Sequence, residues 1–452
     1  MSFLRPCLRV QLATRYTRTQ IWQTRLNSTS AIPETPKKRG RPKKVDTTFP
    51  EPEIRPKARP RKAASPQPKA TEEKTPSLTK ERSKSGRKKI IVEDHLPPPE
   101  QRTELPPVSQ WQKLFHARSQ SHRVSLADAE VAPLVADAFV PEGSKGKVII
   151  EAFPGPGVLT RALLKLPRER IDRIIVLEDY EKYYDFLHPL EALDPRIKVI
   201  NMSGHYWDTY DYIHEQGLLN DIEKLSWDAG VHPILQFIAH LPINVHGEQL
   251  LNQYIRFIPD RHWLFDYGRV PMNFLLNEWI WGRMTTRDPL SRSKLTAVAD
   301  ALVDSDILLY DELQPYRDHF YPVSALLASK ADYKVTDRRK AGFPFQAVSV
   351  VPVEKPLIGP GEMDAWDYCL RRLFVQKATP IEKAIMLLGP GGSSLVQEIV
   401  GKIPLEKSPR ELTMEEWSAL VKVFNEWPFR PSDLSISDLM PDSEGRQTHR
   451  TR

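Results

Sequence analysis

From about residue 124 onward, short apolar runs alternate with segments that place apolar residues at helical spacing. Buried strands are predicted at 147–153, 173–179, 197–203 and 234–242. Helices are predicted at 124–140, 157–166, 181–193 and 247–258. Because buried apolar strands that alternate with helices build parallel sheets, the pattern predicts an α/β fold around a parallel sheet.

Toward the C-terminus the pattern becomes purely helical. A late strand is predicted at 345–353, and beyond Pro356 helices are predicted at 365–374, 380–388 and 414–427. We therefore predict a sheet-containing domain over 109–355, a small helical C-terminal domain over 356–430 and a polar tail over 431–452.

The N-terminal part has a different composition. Residues 31–108 are rich in Pro, Lys, Ser and Glu and poor in large apolar residues, so they cannot bury enough surface to offset the entropy of ordering. Residues 1–110 hold 25 Lys and Arg against 11 Asp and Glu, a net charge of +14, whereas the whole chain carries +7. We predict a disordered basic linker that suits a polyanion such as nucleic acid; a solvated tail without a partner is the alternative.

The first thirty residues have the composition of a mitochondrial transit peptide. They contain five arginines, many Ser and Thr residues and no acid before Glu34. A cationic, amphipathic segment of this kind is drawn inward by a negative-inside potential. We expect residues 1–30 to address the protein to the mitochondrial matrix; a random basic terminus is the alternative.

Within the linker, the stretch KKRGRPKK resembles an AT-hook. Its core is Arg39, Gly40, Arg41 and Pro42. An extended Arg-Gly-Arg fits the narrow minor groove of A/T tracts, and flanking lysines add salt-sensitive phosphate contacts. This stretch is a candidate DNA-binding element.

Several site classes are not supported by the sequence. The chain has two cysteines, Cys7 and Cys369, and no CxxC signature, so no metal site is predicted. No apolar run approaches the roughly 18–20 residues that a membrane span needs.

Four candidate site stretches follow the predicted strands. They are 151–160 with its two close glycines, Glu178, the stretch NMSGHYWDTY at 201–210, and His240–Asn244. In a parallel α/β sheet, ligands bind at the carboxyl ends of the strands. Glycines let the backbone approach a ligand, and a carboxylate after the second strand can accept both hydroxyls of a ribose.

In this order, from about Leu126 to about Gly392, the stretches resemble one family, the rRNA adenine N6-dimethyltransferases with their relatives, the mitochondrial transcription factors B of fungal type. The resemblance implies a class I, Rossmann-like methyltransferase-type sheet with a small helical C-terminal domain. It also implies that the S-adenosylmethionine site comprises Leu126, Glu151, Phe153, Gly155, Gly157, Glu178, Ser203 and His240. The family's catalytic Asn-Leu-Pro-Tyr stands here as His240, Leu241, Pro242 and Ile243.

The departures from the family pattern concern both cofactor and catalysis. Phe153 replaces the first glycine of the loop, and Ser203 or a neighbour replaces the adenine-binding aspartate. The early Gln-Asn-Phe-Leu element is reduced to Arg123-Val124-Ser125-Leu126, which loses polar contacts. His240 can still accept a hydrogen bond, but Ile243 has no π face for a flipped adenine. Together these changes predict a vestigial site and identify no catalytic residue.

The eroded site and the mitochondrial address favour a transcription initiation factor that joins the mitochondrial RNA polymerase and helps to open promoter DNA, as the resemblance implies. Such a factor requires no cofactor, although S-adenosylmethionine binding is left open. The alternatives are a mitochondrial small-subunit rRNA adenine N6-dimethyltransferase and a non-catalytic RNA binder in mitoribosome assembly.

Aromatic and cationic side chains that could hold a nucleic-acid strand occur together at 279–283. Trp279 and Trp281 offer stacking surfaces, and Arg283 offers a phosphate contact. The alternative is that both tryptophans fill the seam between domains.

Overall fold

The computed structural model describes residues 98, 102–115, 120–324 and 336–434. The proposed transit peptide, the Arg39–Pro42 stretch and most of the polar tail lie outside these residues, so the structure does not bear on those predictions.

Nine short strands occur in the described part of the chain. They are β1 (Ser125–Leu126), β2 (Lys147–Ala152), β3 (Ile171–Leu177), β4 (Ile197–Ile200), β5 (Leu235–His240), β6 (Met272–Asn277), β7 (Val303–Leu309), β8 (Phe320–Tyr321) and β9 (Phe345–Pro352). The α-helices of the sheet-containing part are α1 (Val108–Leu114), α2 (Ala132–Phe139), α3 (Val158–Lys165), α4 (Glu181–Leu187), α5 (Trp207–Glu215), α6 (Val245–Arg256), α7 (Glu278–Thr285), α8 (Lys294–Leu302) and α9 (Tyr316–His319). Those that follow are α10 (Met363–Leu373), α11 (Ile381–Ala384), α12 (Ser393–Ile399) and α13 (Met414–Glu426).

Seven strands form one sheet in the order β4-β3-β2-β5-β6-β9-β7. Strands β2 to β6 are parallel, whereas β9 runs antiparallel to both β6 and β7. The remaining two strands, β1 and β8, form a small antiparallel pair in which Ser125 lies opposite Tyr321. This pair holds the segment before β1 near the carboxyl ends of the parallel strands.

The central strands are mainly apolar because helices cover both faces of the sheet. On β2, Ile149 packs into an apolar cluster with residues of α2, α3 and α4, whereas its neighbour Ile150 packs into a second cluster with residues of α6, α7 and the C-terminal helices. Successive side chains of a strand point to opposite faces, so both must be apolar when both faces are buried.

The C-terminal helices pack around fully buried aromatic side chains and are fastened to the sheet by charge. Asp367 on α10 is completely buried. It lies 2.6 Å from Arg256 Nε on α6 and 2.7 Å from Lys294 Nζ on α8. A buried carboxylate needs such partners, so this ion triad ties α10 to the sheet-containing part.

The predicted fold class is confirmed, with differences in detail. The helix predicted at 124–140 begins only at Ala132, because Ser125 and Leu126 pair with β8 as strand β1. Strand β6 was not predicted as a separate strand. Strand β4 ends at Ile200, earlier than predicted. Strand β7 was not predicted as a strand because its sequence, VDSDILL, is only partly apolar. It lies at the edge of the sheet, where one side of the strand is not covered by a neighbour.

Among the described residues, no helix is long and apolar enough to cross a membrane. Nor does this part of the chain bring three or more His, Cys, Asp or Glu side chains together as metal ligands would require.

Candidate functional site

The loops that follow β2, β3, β4 and β5 meet at the carboxyl edge of the sheet. They bring Phe153, Glu178, Ser203 and His240 to one region, as the order of the parallel strands requires. The segment before β1 closes this region from the side, so that Arg123 reaches into it.

The loop after β2 keeps the backbone shape of a glycine-rich turn. Phe153, Gly155 and Gly157 all have positive φ, at 59°, 64° and 89°. A left-handed residue with a side chain costs roughly 1–2 kcal/mol, so Phe153 holds a conformation that glycine adopts freely. Its ring is buried, with 7% of its surface exposed.

The chain itself fills the space beside both glycines. A side chain at Gly155 would overlap Ser125 of β1, and one at Gly157 would overlap Leu187 at the end of α4. The two glycines therefore permit the close approach of other parts of this protein. Packing alone explains why glycine is required at both positions, without a bound ligand.

Glu178, the first residue after β3, is bound by an internal cation. Arg123 Nη1 and Nη2 each donate to one oxygen of Glu178, both at 2.6 Å. Tyr180 adds a backbone N–H at 3.0 Å. The Arg123 guanidinium lies 5.5 Å from the ring centres of both Phe153 and Tyr183. The two oxygens that would accept ribose hydroxyls thus face a guanidinium instead.

Burial and the partner's charge act on this pair in opposite directions. Burial disfavours the charged guanidinium, but Glu178 outweighs that effect and holds the pKa of Arg123 above its usual range. Burial likewise raises the pKa of Glu178, and Arg123 opposes that rise. Bidentate geometry with short bonds is the arrangement in which a buried ion pair offsets its desolvation.

Glu151, near the end of β2, is completely buried and faces helix α3. Thr160 Oγ1 donates to its Oε2 at 2.7 Å, while Oε1 has no partner among the described residues. Burial raises the pKa of Glu151 to about 8, the Thr160 hydrogen bond opposes the rise, and Glu178 adds to it. At neutral pH the carboxyl is therefore mainly protonated.

The His240–Ile243 stretch ends β5 inside the core. Burial, together with nearby Arg123, lowers the pKa of His240 to about 3, so its imidazole is neutral. Neither ring nitrogen makes a hydrogen bond of standard geometry to the described residues, although the Val124 backbone lies close enough to favour a proton there. Leu241 and Ile243 are buried, and the Ile243 backbone N–H donates to the His122 carbonyl at 3.0 Å.

Two other predicted cofactor positions serve local structure. The Ser203 carbonyl accepts the Thr209 hydroxyl at 2.6 Å, which secures the start of α5. Leu126 is wholly buried in the apolar cluster around α3 and β1.

The predicted nucleic-acid residues separate into a buried and an accessible group. Trp281 is buried, with 8% of its surface exposed, and packs in the core. Trp279 is half-buried, and the Arg283 guanidinium lies 5.2 Å from its ring centre. Glu248 on α6 binds Arg283 at 2.8 Å. The structure therefore brings Trp279 and Arg283 together and leaves Trp281 as a core residue.

Sequence reasoning missed two cations at these sites. Arg123 appeared only as part of a reduced motif, and Arg339, whose guanidinium lies 4.9 Å from the Trp279 ring centre, was not singled out. The available signal for Arg123 was its place directly before the largely apolar stretch Val124 to Ala127. No comparable signal marked Arg339.

Comparison with known proteins places this site in a family context. Residues 117–425 match the family described as Ribosomal RNA adenine dimethylase. Mitochondrial transcription factor 1 of Saccharomyces cerevisiae is 26% identical over 63% of this chain and 82% of its own length. The protein of the same name from Lachancea kluyveri is 29% identical over 66% of this chain and 86% of its own.

One further relative is named as an enzyme. Dimethyladenosine transferase 1, mitochondrial, of Vermamoeba vermiformis is 24% identical over 72% of this chain and 96% of its own length. Among solved structures, the 23S rRNA methyltransferase ErmE covers 67% of this chain and 99% of its own at 13% identity, with a TM-score of 0.40.

Proposed function

We propose that this chain, which belongs to the ribosomal RNA adenine dimethylase family, acts as a mitochondrial transcription initiation factor. The family that the sequence motifs predicted is thus confirmed. In the proposed role the protein joins the mitochondrial RNA polymerase at a promoter and helps to open the duplex. The names of its relatives from Saccharomyces cerevisiae and Lachancea kluyveri support this role, and a transit peptide at 1–30 would bring the protein to the matrix.

The observation that carries the proposal is the ion pair between Arg123 and Glu178. S-adenosylmethionine binding in this fold needs a free carboxylate after β3 for the ribose and an open backbone at the glycine loop. Here Arg123 takes both carboxylate oxygens, and the Phe153 ring and Ser125 fill the loop. As arranged, these residues do not fit the cofactor, and its binding would require the Arg123 side chain to leave Glu178.

The proposed mechanism therefore uses no cofactor. A melted promoter re-pairs unless one strand is held, and proteins hold single strands with aromatic stacking and cationic contacts to phosphate. Trp279 and Arg283 lie together beside the carboxyl edge of the sheet and supply both kinds of contact. Stacking of one base contributes about 1–3 kcal/mol, enough to bias a short opened region.

Run-off transcription with the purified cognate polymerase tests the proposal. The templates are a duplex promoter and the same promoter with a pre-melted start region, with and without this protein, and without S-adenosylmethionine. We expect the protein to be required on the duplex and much less on the pre-melted template. Equal transcription from the duplex with and without the protein would contradict the proposal.

A second candidate function, rRNA adenine N6-dimethylation, is favoured by one observation. Glu151, Glu178 and the Leu241-Pro242 pair match the residues that the resemblance assigns to the family motifs, and a relative bears the name of a dimethyladenosine transferase. This function predicts transfer of labelled methyl groups to mitochondrial small-subunit rRNA, with activity lost in Glu178→Gln. Absence of transfer by the wild-type protein would eliminate it.

A further inference from the structure

A short basic segment, 336–340, lies beside Trp279. Asn277, the residue that caps the helix carrying Trp279, holds this segment there. Asn277 is completely buried at the end of β6. Its side-chain oxygen accepts the Ile280 N–H at 2.8 Å and so caps α7, while its side-chain N–H₂ donates to the Arg338 carbonyl at 3.1 Å. One amide thus orients both the helix that carries Trp279 and the segment that carries Arg338 and Arg339.

Further hydrogen bonds and an ion pair hold the same segment and the residues that follow it. The Glu278 backbone N–H donates to the Pro344 carbonyl at 2.8 Å. Asp337 accepts the Arg339 backbone N–H at 3.1 Å and pairs with Lys340 at 3.2 Å. These contacts hold the backbone of Arg338 and Arg339 in place before any ligand arrives, which lowers the ordering cost of binding.

The charges in this patch are unevenly compensated. Glu248 neutralises Arg283, and Asp337 neutralises Lys340. Arg338 and Arg339 are exposed and have no acidic partner within salt-bridge distance among the described residues. The excess positive charge beside Trp279 therefore comes from these two residues, which the sequence reasoning did not identify.

Arg339 also carries a flat stacking surface. Its guanidinium lies 4.9 Å from the Trp279 ring centre, in cation–π contact. A guanidinium held on an aromatic ring presents its outer plane to a base and its N–H groups to phosphate oxygens. Single-stranded nucleic acid offers both groups at once, whereas the bases of a duplex are stacked on one another.

We infer that Arg338, Arg339 and Trp279 form a binding site for single-stranded DNA, with Arg339 stacked between the tryptophan and a base. We call this site the Arg339 platform. Its assignment to DNA rests on the proposed function in transcription, and the platform would hold part of the strand that promoter opening releases. Arg283 also holds Trp279 in position, and it contributes less to phosphate binding than Arg338 and Arg339 because Glu248 shares its charge.

The test measures binding of the full-length protein, without polymerase, to a fluorescently labelled single-stranded DNA oligonucleotide over a salt series. The variants are Arg339→Ala, Arg338→Ala and Arg339→Lys. Lys145→Ala is the charge-matched control, since it removes an exposed cation just before β2, at the amino ends of the parallel strands. Any contribution of the basic arm is common to all variants.

We expect Arg339→Ala to weaken binding about five- to tenfold and to lower the salt slope by about 0.7, the value of one phosphate contact on a single strand. Arg338→Ala should lower the slope similarly with a smaller loss of affinity. Arg339→Lys should keep the slope and lose affinity, because an ammonium group does not stack. Lys145→Ala should change neither quantity.

Three results would overturn the inference. They are unchanged binding in Arg339→Ala, an equal loss in Lys145→Ala, and binding of an RNA of the same sequence at least tenfold more tightly than the DNA. Because no polymerase is present, failure of this assay is distinct from failure of the run-off test. A normal unfolding transition of Arg339→Ala confirms that any loss comes from the site.

Discussion

Replacing Arg123 with alanine perturbs the feature on which the proposed function depends. The change removes both hydrogen bonds to Glu178, whose side chain is completely buried. Only the Tyr180 N–H then remains as a partner. Breaking a buried ion pair by removing one member costs about 3–5 kcal/mol, because the other charge is left without compensation. We expect the free energy of unfolding to fall by about that amount near neutral pH.

The loss should depend on pH in a definite direction. Burial already raises the pKa of Glu178, and in the variant Arg123 no longer opposes that rise. The folded state then binds a proton that the unfolded state releases. The variant is therefore least destabilised below the pKa of an unfolded glutamate, about 4.3, and loses stability as the pH rises from there toward the raised folded pKa.

Denaturant unfolding followed by tryptophan fluorescence at about pH 5 and about pH 8 measures both effects. The control is Arg123→Met combined with Glu178→Gln, which removes both charges. It should lose less stability than the sum of the two single replacements, because no buried charge is left alone. Equal denaturation midpoints for wild type and Arg123→Ala at both pH values would refute the ion pair and the reasoning built on it.

Four further predictions follow from individual residues. Phe153→Gly should be about 1 kcal/mol more stable than Phe153→Ala in denaturant unfolding, because φ at this position is 59°; the reverse order would contradict the left-handed backbone. The wild type should lose stability as the pH rises from the pKa of glutamate in the unfolded chain toward about 8, the pKa of Glu151 in the folded protein, and Glu151→Gln should remove this loss. An unaltered pH profile of unfolding would contradict a protonated carboxyl. Asp367→Asn should cost about 3 kcal/mol, because two cations of the ion triad lose their shared partner; a change below about 1 kcal/mol would show that the triad does not fasten α10. Replacing Arg39 and Arg41 with alanine should weaken binding to A/T-rich duplex and flatten its salt dependence, and unchanged affinity across the salt series would count against the AT-hook hypothesis.

Strands β2 to β5 could be predicted because each contains a short run of apolar residues. Most of their side chains are buried on both faces of the sheet, so their sequences are distinctive, and the glycine loop follows β2 directly. Strand β7 could not be predicted with the same rule. Its pattern, with three polar residues at 304–306 between Val303 and Ile307, reflects an edge position that depends on pairing with β9.

The decisive contacts of the site were beyond sequence reasoning because they join distant parts of the chain. Arg123 and Glu178 are 55 positions apart, and nothing in either segment specifies the other as its partner. Their contact depends on β1 pairing with β8, nearly 200 residues later. The sequence did predict an altered pocket from Phe153, but it could not show what occupies the space.

The most direct test of the central claim is promoter opening in solution. A 2-aminopurine placed in the non-template strand at the start site fluoresces when its neighbours unstack. We predict that the polymerase with this protein raises the fluorescence without S-adenosylmethionine, and that the polymerase alone does so only weakly. No increase, or an increase that appears only when S-adenosylmethionine is added, would contradict the account.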